Sequence, residues 1–415
     1  MAKPRHELRR KRDQIELALY TGAPVAGDEV RRALEVMAVE LGPEEARRVD
    51  ELATVAEGKS SRADYRERFG VAGVRRFATA GGATIYLLAV ETFPDHVNNV
   101  YLVREGQRVT LYDCGSQTHL SRQDLTRAQT VLGKVFDEPR GLDDVGDLVL
   151  SHAHIDHFGG VGHYQARGVR VHVHEFDARV VTRFEERIVV AAMQLRVFLE
   201  RAGVEPRTRA ELEQMYVFTK SLFKSVPVDR LLVDGDAVNG YVVHHAPGHC
   251  PGQICMQVHN VLLTTDHVLP RITPHQSPES ITPWTGLDHY LISLEKFRHI
   301  GGIDLALPGH EEPIARLSQR ISEIEAFHRG RLEKVRALCA APAAPKTTAE
   351  IAHELFGAQP GYGRLLALEE AAAHVEYLAR RGTLELANLS ELTETPNPVL
   401  RYRAAASRML RSQHD

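Results

Sequence analysis

DLVLSHAHIDHFGG, residues 147–160, joins a short apolar run to three histidines and an aspartate packed into six positions. At the end of an extended strand, residues two apart face the same side, so His152 and His154 aim at one point. A turn into helix near Asp156 swings Asp156 and His157 toward a second point. Gly159 and Gly160 let the backbone pass closely there. Imidazole and carboxylate are the ligands that Zn2+ and its first-row neighbours take.

The same arrangement recurs downstream. APGHCPG (246–252) places His249 after an apolar strand, TTDHV (264–268) places Asp266 after the next, and LALPGHEEP (305–313) places His310 after a third. Each group sits just past a strand, where a loop can present it at a sheet edge. Together they make five histidines and two aspartates, enough for two divalent metal ions with three protein ligands each and one bridge. Two cations that share a water lower its pKa toward ~7, so hydroxide is available at neutral pH.

Around these segments, TIYLLAVET, NNVYLVREG, RVTLYDCG, VRVHVHE, DRLLVDGD, GYVVHH, QICMQVHN and VLLTTDHV read as strands bounded by Gly, Asn and Asp. Strands alternating with helices predict an α/β layered domain over 79–318, with a helical insertion at 177–224. Residues 1–78 read as a helical extension: Val30, Leu34, Met37 and Leu41 fall at helical spacing, as do Ala46, Val49, Leu52 and Val55. No chemistry is evident there, and the run RHELRRKR (5–12) reads as a solvated helix face. Residues 319–395 order as helix, helix, Gly turn and β-ribbon, which predicts a winged-helix-like module. Thr347 and Glu350 form a capping-box pattern within it. The tail, 396–415, reads as helical or frayed.

Composition narrows the class. The chain has 415 residues, long enough for two to three domains at roughly 150 residues each. With 43% hydrophobic and 26% charged residues it is not a disordered chain, a collagen or a coiled-coil rod. A net charge of −4 gives no global bias toward nucleic acid. Four cysteines without a CxxC pair predict reduced thiols. The charged start MAKPRHELRRKR and the lack of a long apolar run predict a soluble, cytoplasmic protein without a membrane span.

LYDCG (111–115), SHAHIDHFGG, APGHCPGQ, TTDHVL and LPGHEEPI, in that order, resemble the metallo-β-lactamase superfamily over about 80–315. The resemblance implies an αββα sandwich with metals at one edge between the sheets. It implies that His152, His154 and His249 hold one ion, that Asp156, His157 and His310 hold the other, and that Asp266 bridges. Two ions, Zn2+ first with Fe or Mn as variants, are the implied cofactors, with Asp156 and Asp266 closest to the catalysis. Asp113 matches a position that orients ligands, and His267 is a second candidate for that task. Arg271 and His275, just past Asp266, are candidates for substrate contact. Cys250 reads first as a small buried thiol, and the aromatic residues of 184–223 as core or pocket roof.

The insertion and the C-terminal module resemble glyoxalase II-like hydrolases with a winged-helix tail. Between Asp266 and His310 lie 43 residues, too few for the inserted domain of a β-CASP nuclease. The leading expectation is hydrolysis of a small-molecule thioester or ester, of acyl-CoA or acyl-glutathione type. The alternative is an endoribonuclease acting on single-stranded RNA, with support from HRGR (328–331), Arg380 and Arg381. A non-enzymatic DNA-binding regulator and an exported β-lactamase fit less well. A homodimer is compatible with the sequence but not argued by it.

Overall fold

A computed structural model describes residues 73–406 other than 95, 341–343 and 395. The helices expected over 1–72 and the basic run at 5–12 lie outside these residues. The last residues assigned to the helical extension are instead a strand, Val74–Ala78 (β1). It pairs antiparallel with Thr84–Phe93 (β2), Val74 opposite Leu88. Val74 packs on one face of the sheet and Phe77 on the other, so burial on both faces favours extension here over a helix.

His96–Glu105 (β3), Arg108–Tyr112 (β4), Asp147–Val149 (β5), Arg170–His174 (β6) and Arg230–Leu232 (β7) complete a seven-stranded sheet in sequential order. β1 to β4 are antiparallel, and β4 to β7 are parallel. The second sheet holds Ala237–Val238 (β8), Tyr241–His245 (β9), Ile254–Val258 (β10), Val261–Thr265 (β11) and Leu305–Pro308 (β12), ordered β12-β11-β10-β9-β8. The two sheets close on each other through Leu87, Tyr101, Val243, Met256 and Leu263, all of them buried.

His119–Val135 (α1), Ile155–Phe158 (α2) and Val161–Gln165 (α3) follow strands of the first sheet. Val131, Leu132, Val161 and Tyr164 pack on its outer face. Glu175–Thr182 (α4), Phe184–Arg201 (α5) and Pro206–Ser221 (α6) form the insertion. Leu287–Arg298 (α7) and Leu317–Leu338 (α8) cover the second sheet with Leu294, Phe297, Ile321 and Ile324. These layers are the αββα sandwich.

The C-terminal module continues from α8 through Lys346–Thr347 (β13), Thr348–Phe356 (α9), Gly361–Arg380 (α10), Leu384–Leu386 (β14) and Arg401–Ala404 (β15). The capping box is present: Glu350 N donates to Thr347 Oγ1 at 3.2 Å, and Thr347 N donates to Glu350 Oε2 at 2.7 Å. The tail read as helical or frayed is partly a strand, and β15 is the centre of a three-stranded sheet, β13-β15-β14. Pro396 and Pro398 stop a helix from entering, and RYRA then alternates with Tyr402 buried.

The insertion and this module are not separate bodies. Leu195, Leu199 and Leu212 share one buried core with Val335, Ile351, Leu365 and Leu384. Among the described residues, no helix is long and apolar enough to cross a membrane.

Candidate metal centre

Parallel strands end on the same side of a sheet, and loops that leave those ends meet. β5 delivers Ser151 to His157, β11 delivers Asp266, and β12 delivers His310. His154 keeps an extended backbone and α2 starts at Ile155, so the chain turns where the sequence required it.

The seven groups expected at the centre come together in two sets. In one, His154 Nδ1 lies 3.0 Å from His152 Nε2 and 3.1 Å from His249 Nε2. In the other, His157 Nε2 lies 3.4 Å from Asp156 Oδ2 and 3.5 Å from Asp266 Oδ2. His310 Nε2 lies 3.3 Å from Asp266 Oδ2 and 3.8 Å from Asp156 Oδ2. Asp266 Oδ2 also lies 3.7 Å from His249 Nε2, so one oxygen faces both sets. Ligands about 2.0–2.1 Å from a tetrahedral Zn2+ stand about 3.3–3.4 Å apart, close to these separations.

The outward nitrogens show that the inward ones are free to coordinate. His249 Nδ1 donates to His275 O, His310 Nδ1 to Val97 O and His157 Nδ1 to Asp113 Oδ2, each at 2.8 Å. Carbonyl and carboxylate oxygens only accept, so one proton of each ring sits outside and the other nitrogen faces the centre, where a cation would take the place of any second proton. His152 Nδ1 meets Ser151 Oγ at 2.9 Å, and that hydroxyl donates to Asp113 Oδ2 at 2.8 Å. Asp113 therefore steadies one histidine of each set. Its own backbone sits at φ 61°, held by its amide donating to Val149 O. Lone pairs converging around buried carboxylates fit a cation. Asp266 Oδ1 is also buried without a hydrogen-bond partner, which adds to that fit.

Charge follows this geometry. Burial works against ionising Asp266, but His310 and His157 hold its carboxyl well below the usual range. Burial favours a neutral His157 ring, and Asp156, Asp266 and Asp113 overcome it to raise that pKa well above the ordinary value. His152 and His154 are lowered well below theirs, chiefly by burial.

Several participants carried no signal that the sequence reading used. Asp177, in α4, accepts Gly252 N on Oδ1 and Ala153 N on Oδ2, both at 2.8 Å, and so ties two ligand loops together. Burial lifts its pKa to about 6. Asn98 Nδ2 donates to Asp156 Oδ2 at 2.9 Å and lies 3.1 Å from His157 Nε2. His96 Nε2 lies 3.0 Å from Asp156 Oδ2 with its ring half exposed, which opens the second set to solvent. Two asparagines inside an otherwise apolar strand were the available hint. Cys250 Sγ lies 3.3 Å from His154 Nε2.

Other expectations are redirected. The His267 side chain turns away from the centre and packs on Phe297 and Tyr290, and burial lowers its pKa to about 3. The backbone reverses at Thr265 (φ 41°), so Asp266 and its neighbour leave the strand on opposite sides. Arg271 is engaged by Glu311, next to His310, at 3.1 Å. His275 serves the centre through its carbonyl, while its ring meets Leu366 O at 3.2 Å and Glu369 Oε2 at 3.5 Å. Among the aromatic residues of 184–223, Phe184 and Phe223 are core, whereas Phe218 is exposed.

A family profile described as the metallo-beta-lactamase superfamily matches residues 94–310. The chain is 28% identical over 222 residues to the acyl-coenzyme A thioesterase MBLAC2 of Gallus gallus, across 51% of this chain and 72% of that protein. The structure of a metallo-beta-lactamase family protein from Thermus thermophilus is 28% identical. It matches 77% of this chain and 98% of its own with a TM-score of 0.62. A beta-lactamase domain protein from Burkholderia ambifaria is 25% identical over 81% of this chain and 96% of its own, with a TM-score of 0.61. Fold, ligand order and profile agree: the chain belongs to the metallo-beta-lactamase superfamily.

Proposed function

We propose that this chain is a binuclear metal-dependent hydrolase of a thioester or ester of a small organic acid, of acyl-CoA or acyl-glutathione type. The observation that carries the reading is the placement of Asp266 Oδ2, 3.3 Å from His310 Nε2 and 3.7 Å from His249 Nε2. His152, His154 and His249 would hold one ion, Asp156, His157 and His310 the other, with Asp266 between them. Two divalent cations, Zn2+ or in its place Fe or Mn, supply activation of water and polarisation of the substrate carbonyl. The protein's part is to fix the ligands. Asp113, Ser151 and the carbonyls of His275 and Val97 lock the imidazoles, and Asp177 holds the two loops that carry three of them.

Similarity to an acyl-CoA thioesterase supports a thioester substrate. The RNA reading loses part of its basic support, although Arg329 stays exposed. Arg331 is taken by Glu370, Arg380 by Glu279 and Arg381 by Asp288. Much of α10, which a nucleic-acid module would present outward, is buried instead, including Glu369, Glu370 and His374. The C-terminal module therefore reads as a packing element.

The test is a thiol-release assay on a panel of acyl-CoA and acyl-glutathione thioesters, comparing native protein with Asp266→Ala. Metal-dependent release that the substitution abolishes is expected. A metal-loaded native protein that releases no thiol from any of them overturns the reading.

A further inference from the structure

Three consecutive residues at the start of β3 serve the second ligand set. Opposite them, β2 carries a bulge at Thr92, with Glu91 paired to Val97 and Phe93 to His96. Bulges of this kind re-aim the side chains beside them. Val97 takes the His310 Nδ1 proton on its carbonyl at 2.8 Å. His96 and Asn98, two apart, share one face of the strand. Both reach Asp156 Oδ2, Asn98 Nδ2 at 2.9 Å and His96 Nε2 at 3.0 Å.

Asn98 already braces that carboxylate. Thr92 Oγ1 donates to Asn98 Oδ1 at 2.6 Å, which fixes the amide with its NH2 on Asp156. His96 is placed differently. Its ring is half exposed, with its centre 4.8 Å from that of His310. Among the described residues, Nδ1 bonds no protein group, so water can hold a proton there and the Nε2 lone pair then faces the second set. The coordinating atoms of His96, Asp156 and His310 all lie within 4.8 Å of one another. Two ligands about 2.1 Å from one ion, at a right angle, stand about 3.0 Å apart, which is the separation of His96 Nε2 from Asp156 Oδ2.

We propose that His96 is a further ligand of the second ion, beside Asp156, His157, His310 and the bridging Asp266. The assignment rests on the binuclear reading above and adds to it. Five protein ligands exceed the four of a tetrahedral Zn2+ site. The second position therefore favours an ion that takes five or six ligands, such as Fe2+ or Mn2+, while the first, with three histidines and the bridge, suits Zn2+.

The test reads metal binding rather than turnover. Native full-length protein and His96→Ala are loaded with cobalt(II), and the bound ions are counted and titrated with a chelator. The first ion, held by His152, His154 and His249, reports that the variant is folded. In His96→Ala the second ion is expected to bind at least tenfold more weakly. Its visible absorption should intensify as it drops toward four ligands, and the preference of that position for manganese over zinc should fall by a similar factor. Loss of the second ion altogether, beyond the about 10–100-fold that an outer partner carries, supports the ligand equally.

An unchanged absorption, with or without weaker binding, makes His96 a brace of Asp156 and overturns the assignment. An unchanged metal preference overturns the selectivity. A native protein that holds only one ion at saturation overturns the binuclear reading and this ligand with it. Two ions, both indifferent to His96→Ala, overturn the ligand alone.

Discussion

Cys250 Sγ lies 3.3 Å from His154 Nε2, the ring nitrogen that faces away from His152 and His249. Every other histidine at the centre has its outer nitrogen held by an oxygen, and His154 has this sulfur. Burial, with Asp177 next, pushes the thiol pKa well up, so Cys250 is an uncharged partner that steadies a ring. Partners of this kind are worth about 10–100-fold in metal affinity. Cys250→Val should weaken zinc retention in chelator competition by about that factor, and Cys250→Ser should keep most of it. With cobalt in the centre, a thiolate-to-metal band in the near ultraviolet would show instead that Cys250 is itself a ligand.

Asp177 accepts two backbone N–H groups from the two loops that carry His152, His154 and His249. Asparagine at this position offers one acceptor and turns its amide donor toward the second N–H. Asp177→Asn should therefore cost about 1–3 kcal/mol in urea unfolding and about 10–100-fold in metal affinity. The charge itself has the opposite sign. With the folded carboxyl raised to about 6, its stabilising contribution is full below its unfolded value near ~3.9 and is lost as pH rises through 6.

His328 and His374 are fully buried, with His328 Nδ1 3.1 Å from His374 Nε2, between α8 and α10. His374 Nδ1 bonds Glu370 O at 2.7 Å, and Arg331 and Glu370 line the same place. Burial lowers His328 to about 2 and His374 to about 4. Both rings stay neutral in the folded protein and take up protons when it unfolds below about 6.5. Their contribution is therefore full above that pH and falls as the solution is acidified toward the folded values. Between pH 7 and pH 5 the native protein should lose about 2 kcal/mol more than His374→Leu. Urea titrations of both proteins at the two pH values measure this, and parallel losses would contradict it.

Leu199 belongs to the core shared by the helical insertion and the C-terminal module. Leu199→Ala should cost about 2–5 kcal/mol. Because the two segments bury one core, both should loosen together, and amide exchange should rise in α5 and in α10 alike. Exchange confined to α5 would show that the module folds independently.

The amino-acid sequence by itself determined which histidines and aspartates meet at the candidate site, the order of the strands that carry them and the α/β class. Those features are local: a histidine two residues from another on an extended end, an aspartate or histidine one step past an apolar run. Periodicity and spacing encode such relationships directly. Only the tertiary structure decided the rest. Asp177 meets residues 24 and 75 positions away, Cys250 meets one 96 positions away, and the His275 ring meets α10 91 positions on. His267 sits beside Asp266 in sequence yet packs on Phe297 and Tyr290, away from the centre. The tail strand β15 was hidden for the same reason, since Tyr402 pairs with Lys346 and Leu386, residues well away from it along the chain. Which side chain braces which ligand depends on how two sheets and their covering helices stack, and no spacing along the chain carries that information.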